Sequence, residues 1–89
     1  MNKLTKIQYE ILVRLEYDWC FPFSLFKELE LTKKELSKEF KVLRETGLVS
    51  FEKGLLTEDG EVAGSGYCLR DTARAEITKL IEDWEQLNR

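Results

Sequence analysis

An α+β fold is predicted by two changes of period along the chain. Apolar residues recur at helical spacing up to Leu43, alternate in short stretches between Leu48 and Leu69, and return to helical spacing after Asp71. The order that follows is three N-terminal helices, a two-stranded hairpin and a C-terminal helix. With 89 residues the chain can bury one hydrophobic core, so residues 1–89 are expected to form a single domain. Hydrophobic residues at 43% and charged residues at 35% fit a folded globular composition and argue against wholesale disorder.

The first helix is expected to open at Thr5, with Gln8 three residues on to complete a capping box. Ile7, Ile11, Leu12 and Leu15 then share one face, and Pro22 ends any continuation. Trp19, Phe21, Phe23 and Phe26 read as core and helix-junction packing. Phe23, Phe26 and Leu29, three apart, suggest a short second helix over about residues 23–30. The third helix has both ends marked: Thr32 with Glu35 repeats the capping-box pattern, Leu36, Phe40 and Leu43 line one face, and Gly47 stands where a left-handed cap terminates it. Leu48 is placed to fold back on that helix.

"LVSFEKGLL" reads as a strand with Val49 and Phe51 on one side and an interruption near Gly54, and "YCLR" as its partner, with Tyr67 and Leu69 sharing a face. "TEDGEVAGSG" between them predicts a tip of about ten residues. The last helix, about residues 72–88, is expected to start with Asp71 or Thr72 as its N-cap. Ala73, Ile77, Leu80, Trp84 and Leu87 form a short a/d-type seam that Ile81 widens. That stripe either completes the monomer core or continues into a homodimer interface built from Ile77, Leu80, Ile81, Trp84 and Leu87.

The order of elements resembles the winged helix-turn-helix family, and the likeness is concentrated in "LFKELELTKKELSKEFKVLRETGLV", residues 25–49. In that likeness Leu25 and Leu29 stand for the packing residues of the support helix, and Leu31 and Thr32 for the turn and cap. Leu36, Phe40 and Leu43 correspond to the buried face of the recognition helix, Gly47 and Leu48 to its exit into the wing. "YCLRDTARAEI" is similar to the family's passage from wing to following helix. The resemblance implies sequence-selective binding of double-stranded DNA in transcriptional regulation, with helix 32–46 in the major groove. The implied contacts are Lys33, Lys34, Ser37, Lys38 and Lys41, with Arg44 a peripheral phosphate contact.

Charge qualifies this reading. The net charge is −3, but residues 27–44 carry six basic and four acidic side chains while residues 45–89 carry five and ten. Residues 32–43 lack Arg, Asn and Gln, so base readout would be sparse and affinity would lean on phosphate. Glu39 and Glu45 oppose it, and Glu58, Asp59 and Glu61 put like charge where a wing would approach DNA. Lysines on a surface helix also serve simply to solvate it, although Lys34 and Lys38, four apart, repel one another. A second reading therefore stays open: a winged-helix protein-interaction or adaptor module that does not bind DNA, such as a phage or mobile-element protein docking on a host complex.

Other classes find little support. There is no histidine, and Cys20 and Cys68 are far apart without a CxxC pair, so no metal or cofactor is expected. Neither cysteine has a visible nucleophile partner, Ser65 lies outside any nucleophile elbow, and Glu58–Asp59 and Glu82–Asp83 read as solvated pairs; no catalytic residue is assigned. The longest apolar run, "WCFPF", is far short of a membrane span and the N-terminus has no signal-peptide pattern, so a cytoplasmic location without membrane contact is expected.

Overall fold

The computed structural model describes residues 3–17, 29–56 and 59–88. Helix α1, Lys6–Tyr17, opens with a complete capping box: the Gln8 amide donates to Thr5 Oγ1 at 3.1 Å and the Thr5 amide donates to Gln8 Oε1 at 3.0 Å. This exchange satisfies the buried side-chain oxygen of Gln8, a polar residue among the apolar core. Ile11, Leu12 and Leu15 form its buried face.

The helix expected over about residues 23–30 falls outside the described residues except for Leu29 and Glu30, which make a turn. Trp19, Cys20, Phe21, Phe23, Leu25 and Phe26 likewise lie outside them. Helix α2, Lys33–Glu45, begins at Thr32, whose hydroxyl accepts from the Glu35 amide at 3.1 Å. Only half of the expected box forms, because the Glu35 carboxylate accepts from the Thr32 hydroxyl at 2.9 Å rather than from the Thr32 amide. The other end is a Schellman motif. Gly47 has φ +79°, its amide donates to the Arg44 carbonyl at 3.1 Å, and the Leu48 amide donates to the Leu43 carbonyl at 3.0 Å. Leu43 and Leu48, the apolar pair that accompanies this motif, are both fully buried.

Strand β1, Val49–Leu56, pairs antiparallel with β2, Val62–Leu69, placing Val49 opposite Leu69 and Phe51 opposite Tyr67. The interruption expected at Gly54 is a register irregularity between Glu52 and Leu55, with Gly54 at φ +69°. The tip is shorter than the sequence suggests, since β2 already starts at Val62. Gly64 and Gly66, read as turn-formers, are strand residues paired with Leu55 and Glu52; glycine at such positions serves a bulge or a close approach as well as a turn.

A 3-10 turn, Asp71–Ala73, leads into helix α3, Arg74–Leu87. Neither Asp71 nor Thr72 caps α3 as expected. The Asp71 carboxylate instead accepts from Arg74 Nε at 3.2 Å, and the Ala73 amide donates to the Arg70 carbonyl at 2.9 Å. Ala73, the last residue of this turn, is buried in the core. α1, α2, α3 and the wing root close around one core whose fully buried members include Ile11, Leu12, Leu43, Leu48 and Ile77. Two aromatic stacks tie elements together: Tyr9 on Trp84 joins α1 to α3 at 4.0 Å between centroids, and Phe40 on Tyr67 joins α2 to the wing at 3.8 Å. Among the described residues, no helix is long and apolar enough to cross a membrane.

Candidate nucleic-acid interface

Helix α2 turns Leu36, Phe40 and Leu43 inward, which fixes where every other side chain points. At 3.6 residues per turn, Lys33, Arg44, Ser37, Lys41, Lys34 and Lys38 follow one another around an arc of roughly 140° on the outer face. All six are exposed. Of the acids on this helix only Glu45 falls within that arc. Glu35 lies beyond it and is engaged with Thr32, and Glu39 lies on the opposite flank, half-buried, with Oε2 shielded from solvent and unpartnered among the described residues. The objection that Glu39 raises in the linear sequence is therefore removed by the helix geometry, while that of Glu45 stands.

Between α2 and the wing root runs an open groove of about 800 Å³. Ser37, Lys41, Arg44 and Glu45 line it from the helix, Val49, Ser50, Phe51 and Tyr67 from the hairpin, and Arg70 from the exit of β2. Its wall is held in place by aromatic packing, Tyr67 resting on Phe40 while Phe51 meets Tyr67 edge-on at 5.1 Å. Three cations, Lys41, Arg44 and Arg70, and one carboxylate, Glu45, line this groove, which suits it to an anionic chain. Arg70 escaped the sequence reading because it is distant from α2 in the chain. Its position directly after a strand that pairs back to Val49 was the available signal. Lys33, Lys34 and Lys38 do not line the groove; they extend the same basic face along the helix.

The acidic part of the wing is elsewhere. Asp59 and Glu61 are exposed at the tip, Glu58 lies outside the described residues, and Glu52 at mid-strand accepts from the Ser50 hydroxyl at 2.9 Å. The proposed dimer face is also redistributed. Ile77, Leu80 and Ile81 are buried inside this chain, and Trp84 is half-buried against Tyr9, so of the five residues only Leu87, 71% exposed, presents most of its surface outward. For Ile77, Leu80 and Ile81 the packing follows the other of the two expectations, in which the stripe completes the monomer core. Beside Leu87 lies a second groove, about 660 Å³, lined by Lys3, Leu4, Lys6, Leu80, Asp83 and Trp84 among others. Among the described residues no three His, Cys, Asp or Glu side chains are grouped to hold a metal ion.

A capped helix packed across a three-helix core, leading through a glycine cap into a two-stranded hairpin and back to a helix, is the winged helix-turn-helix fold. Solved structures bear the same arrangement. The chain superposes on the zinc-responsive MarR family member ZitR of Lactococcus lactis with a TM-score of 0.69 at 20% identity, covering 94% of this chain and 55% of that one. The adhesin competence repressor AdcR of Streptococcus pyogenes gives 0.69 at 22% identity, covering 98% and 61%. The transcriptional repressor BigR of Xylella fastidiosa gives 0.70 at 16% identity, covering 96% and 78%. The chain thus spans less than two thirds of the length of ZitR and AdcR. No protein-family model matches the chain, and no curated protein matches it in sequence.

Proposed function

We propose that the chain binds double-stranded DNA and acts in transcriptional regulation, with the outer face of α2 in the major groove and the α2–wing groove on the adjoining phosphates. The supporting observation is the exposed basic arc Lys33, Lys34, Ser37, Lys38, Lys41 and Arg44, continued across the groove by Arg70. The neighbouring structures named as repressors are consistent with it. Phosphate binding carries most of the affinity because α2 up to Leu43 offers lysines and one serine in place of bidentate side chains, and Arg44 stands only near its C-terminal end. A second copy, joined through the Leu87 end of α3, would present two such helices to one duplex and raise an otherwise modest affinity.

Titration of Lys33→Ala, Lys34→Ala, Lys38→Ala and Arg70→Ala against duplexes selected from a random library tests this. Removing one phosphate-binding cation should lower the slope of log affinity against log salt by about 0.9, with folding retained. Unchanged affinity in all four variants would remove the basic-arc reading, and a selection that enriches no duplex would leave the adaptor module as the better account.

A further inference from the structure

The wing has two chemically different parts. Its root, beside α2, is aromatic, with Phe51 and Tyr67 on the groove and Arg70 at the exit of β2. Its distal part carries Leu56 and Val62, which pair across the hairpin yet remain 57% and 72% exposed. Asp59 and Glu61 stand exposed between them in the chain. From residue 49 to 69 there is one basic residue, Lys53, against four acids, Glu52, Glu58, Asp59 and Glu61. The register irregularities between Glu52 and Leu56 mark the boundary between the parts, where a bulged strand bends and twists away from its original course.

We propose that the wing tip is a docking surface for another protein, one that presents an apolar patch edged by lysine or arginine. Exposed apolar side chains rimmed by charge have the composition of an interaction site. The charge selects the occupant. DNA, an anionic membrane surface and the tip of a second copy would each set negative against negative. A basic-edged protein surface meets the acids with opposite sign, which favours encounter, and removes the Leu56–Val62 pair from water. The tip shares no residue with the α2 face or its groove, so docking there and DNA binding can fail independently.

The test is selection of a displayed random-peptide library on the full chain, followed by titration of the enriched peptides. The expected sequences combine large apolar residues with Lys or Arg, and they bind the Leu56→Ser/Val62→Ser double variant at least about tenfold more weakly. The charge variant Asp59→Lys/Glu61→Lys, which leaves the apolar pair intact, should weaken them as well. Affinity for duplex DNA should be unchanged by the serine variant. Absence of basic-apolar enrichment, or enriched peptides that bind all variants equally, would overturn the proposal. Loss of DNA affinity in the folded serine variant would also overturn it, by assigning the tip to DNA.

Discussion

Five of the described residues have positive φ, and two of them that flank α2, Gly47 and Glu30, differ in what they carry there. Gly47, at φ +79°, has nothing within 4 Å of where a Cβ would stand, so its requirement for glycine is conformational alone. Glu30, at φ 55°, holds the same region with a full side chain just before the cap of α2. An L-residue with a Cβ bears a penalty of about 1 kcal/mol or more in that region. Gly47→Ala should therefore destabilise by about 1 kcal/mol, and Glu30→Gly should stabilise by up to about 1 kcal/mol, less the extra chain entropy that glycine brings to the unfolded state. Urea unfolding of both variants checks the opposed signs. The Gly47 position was legible because glycine after an apolar helix face announces a cap. Glu30 was not, because glutamate gives no local sign of left-handed backbone.

At the scale of elements, caps and apolar faces were legible from spacing, and partners distant in the chain were not. Thr5 with Gln8 forms the box its spacing predicts. The same spacing at Thr32 and Glu35 forms half of one, since a carboxylate can accept from the hydroxyl as readily as from the amide. Asp71 looked like a cap because the pull of Arg74 on its carboxylate depends on a turn geometry that sequence does not specify. The pairing of α1 with α3 was hidden for a similar reason. Tyr9 donates its hydroxyl proton to Glu85 Oε2 at 3.0 Å beneath the Trp84 stack, joining residues 76 apart in the chain. That hydrogen bond, with smaller effects of burial and nearby carboxylates, raises the Tyr9 hydroxyl above its ordinary pKa of 10.0. Because the protonated form is favoured by folding, its contribution is fully present below about pH 10 and is lost as pH rises through the raised value. Glu85→Gln should bring the Tyr9 titration down, followed by carbon NMR of its ring, and Tyr9→Phe should remove this part of the alkaline stability loss.

At the scale of the whole molecule, the basic face of α2 and the exposed end of α3 are separate surfaces with separate tests. A dimer joined at the end of α3 would use Leu87, and its neighbouring groove carries Lys3 and Lys6 on one side and Asp83 on the other. Sedimentation equilibrium should show association that Leu87→Asp weakens at least about tenfold. A strict monomer at high concentration would remove the dimer. The seam that prompted this expectation was readable in sequence, but which of its residues remain outside was not, because burial of Ile77, Leu80 and Ile81 depends on how α3 packs against α1 and the shared core. The joint between α2 and the wing has a further consequence. Leu48 donates its amide to Leu43, accepts the Arg70 amide at 3.0 Å and buries its side chain completely, so one residue fastens the end of α2, the start of β1 and the exit of β2. Chain length is therefore fixed at this joint and free at the hairpin tip. Insertions that lengthen the wing beyond Leu56 should leave the groove between α2 and the wing root intact while altering the tip, whereas one added residue between Gly47 and Val49 should swing the whole wing out of register with α2.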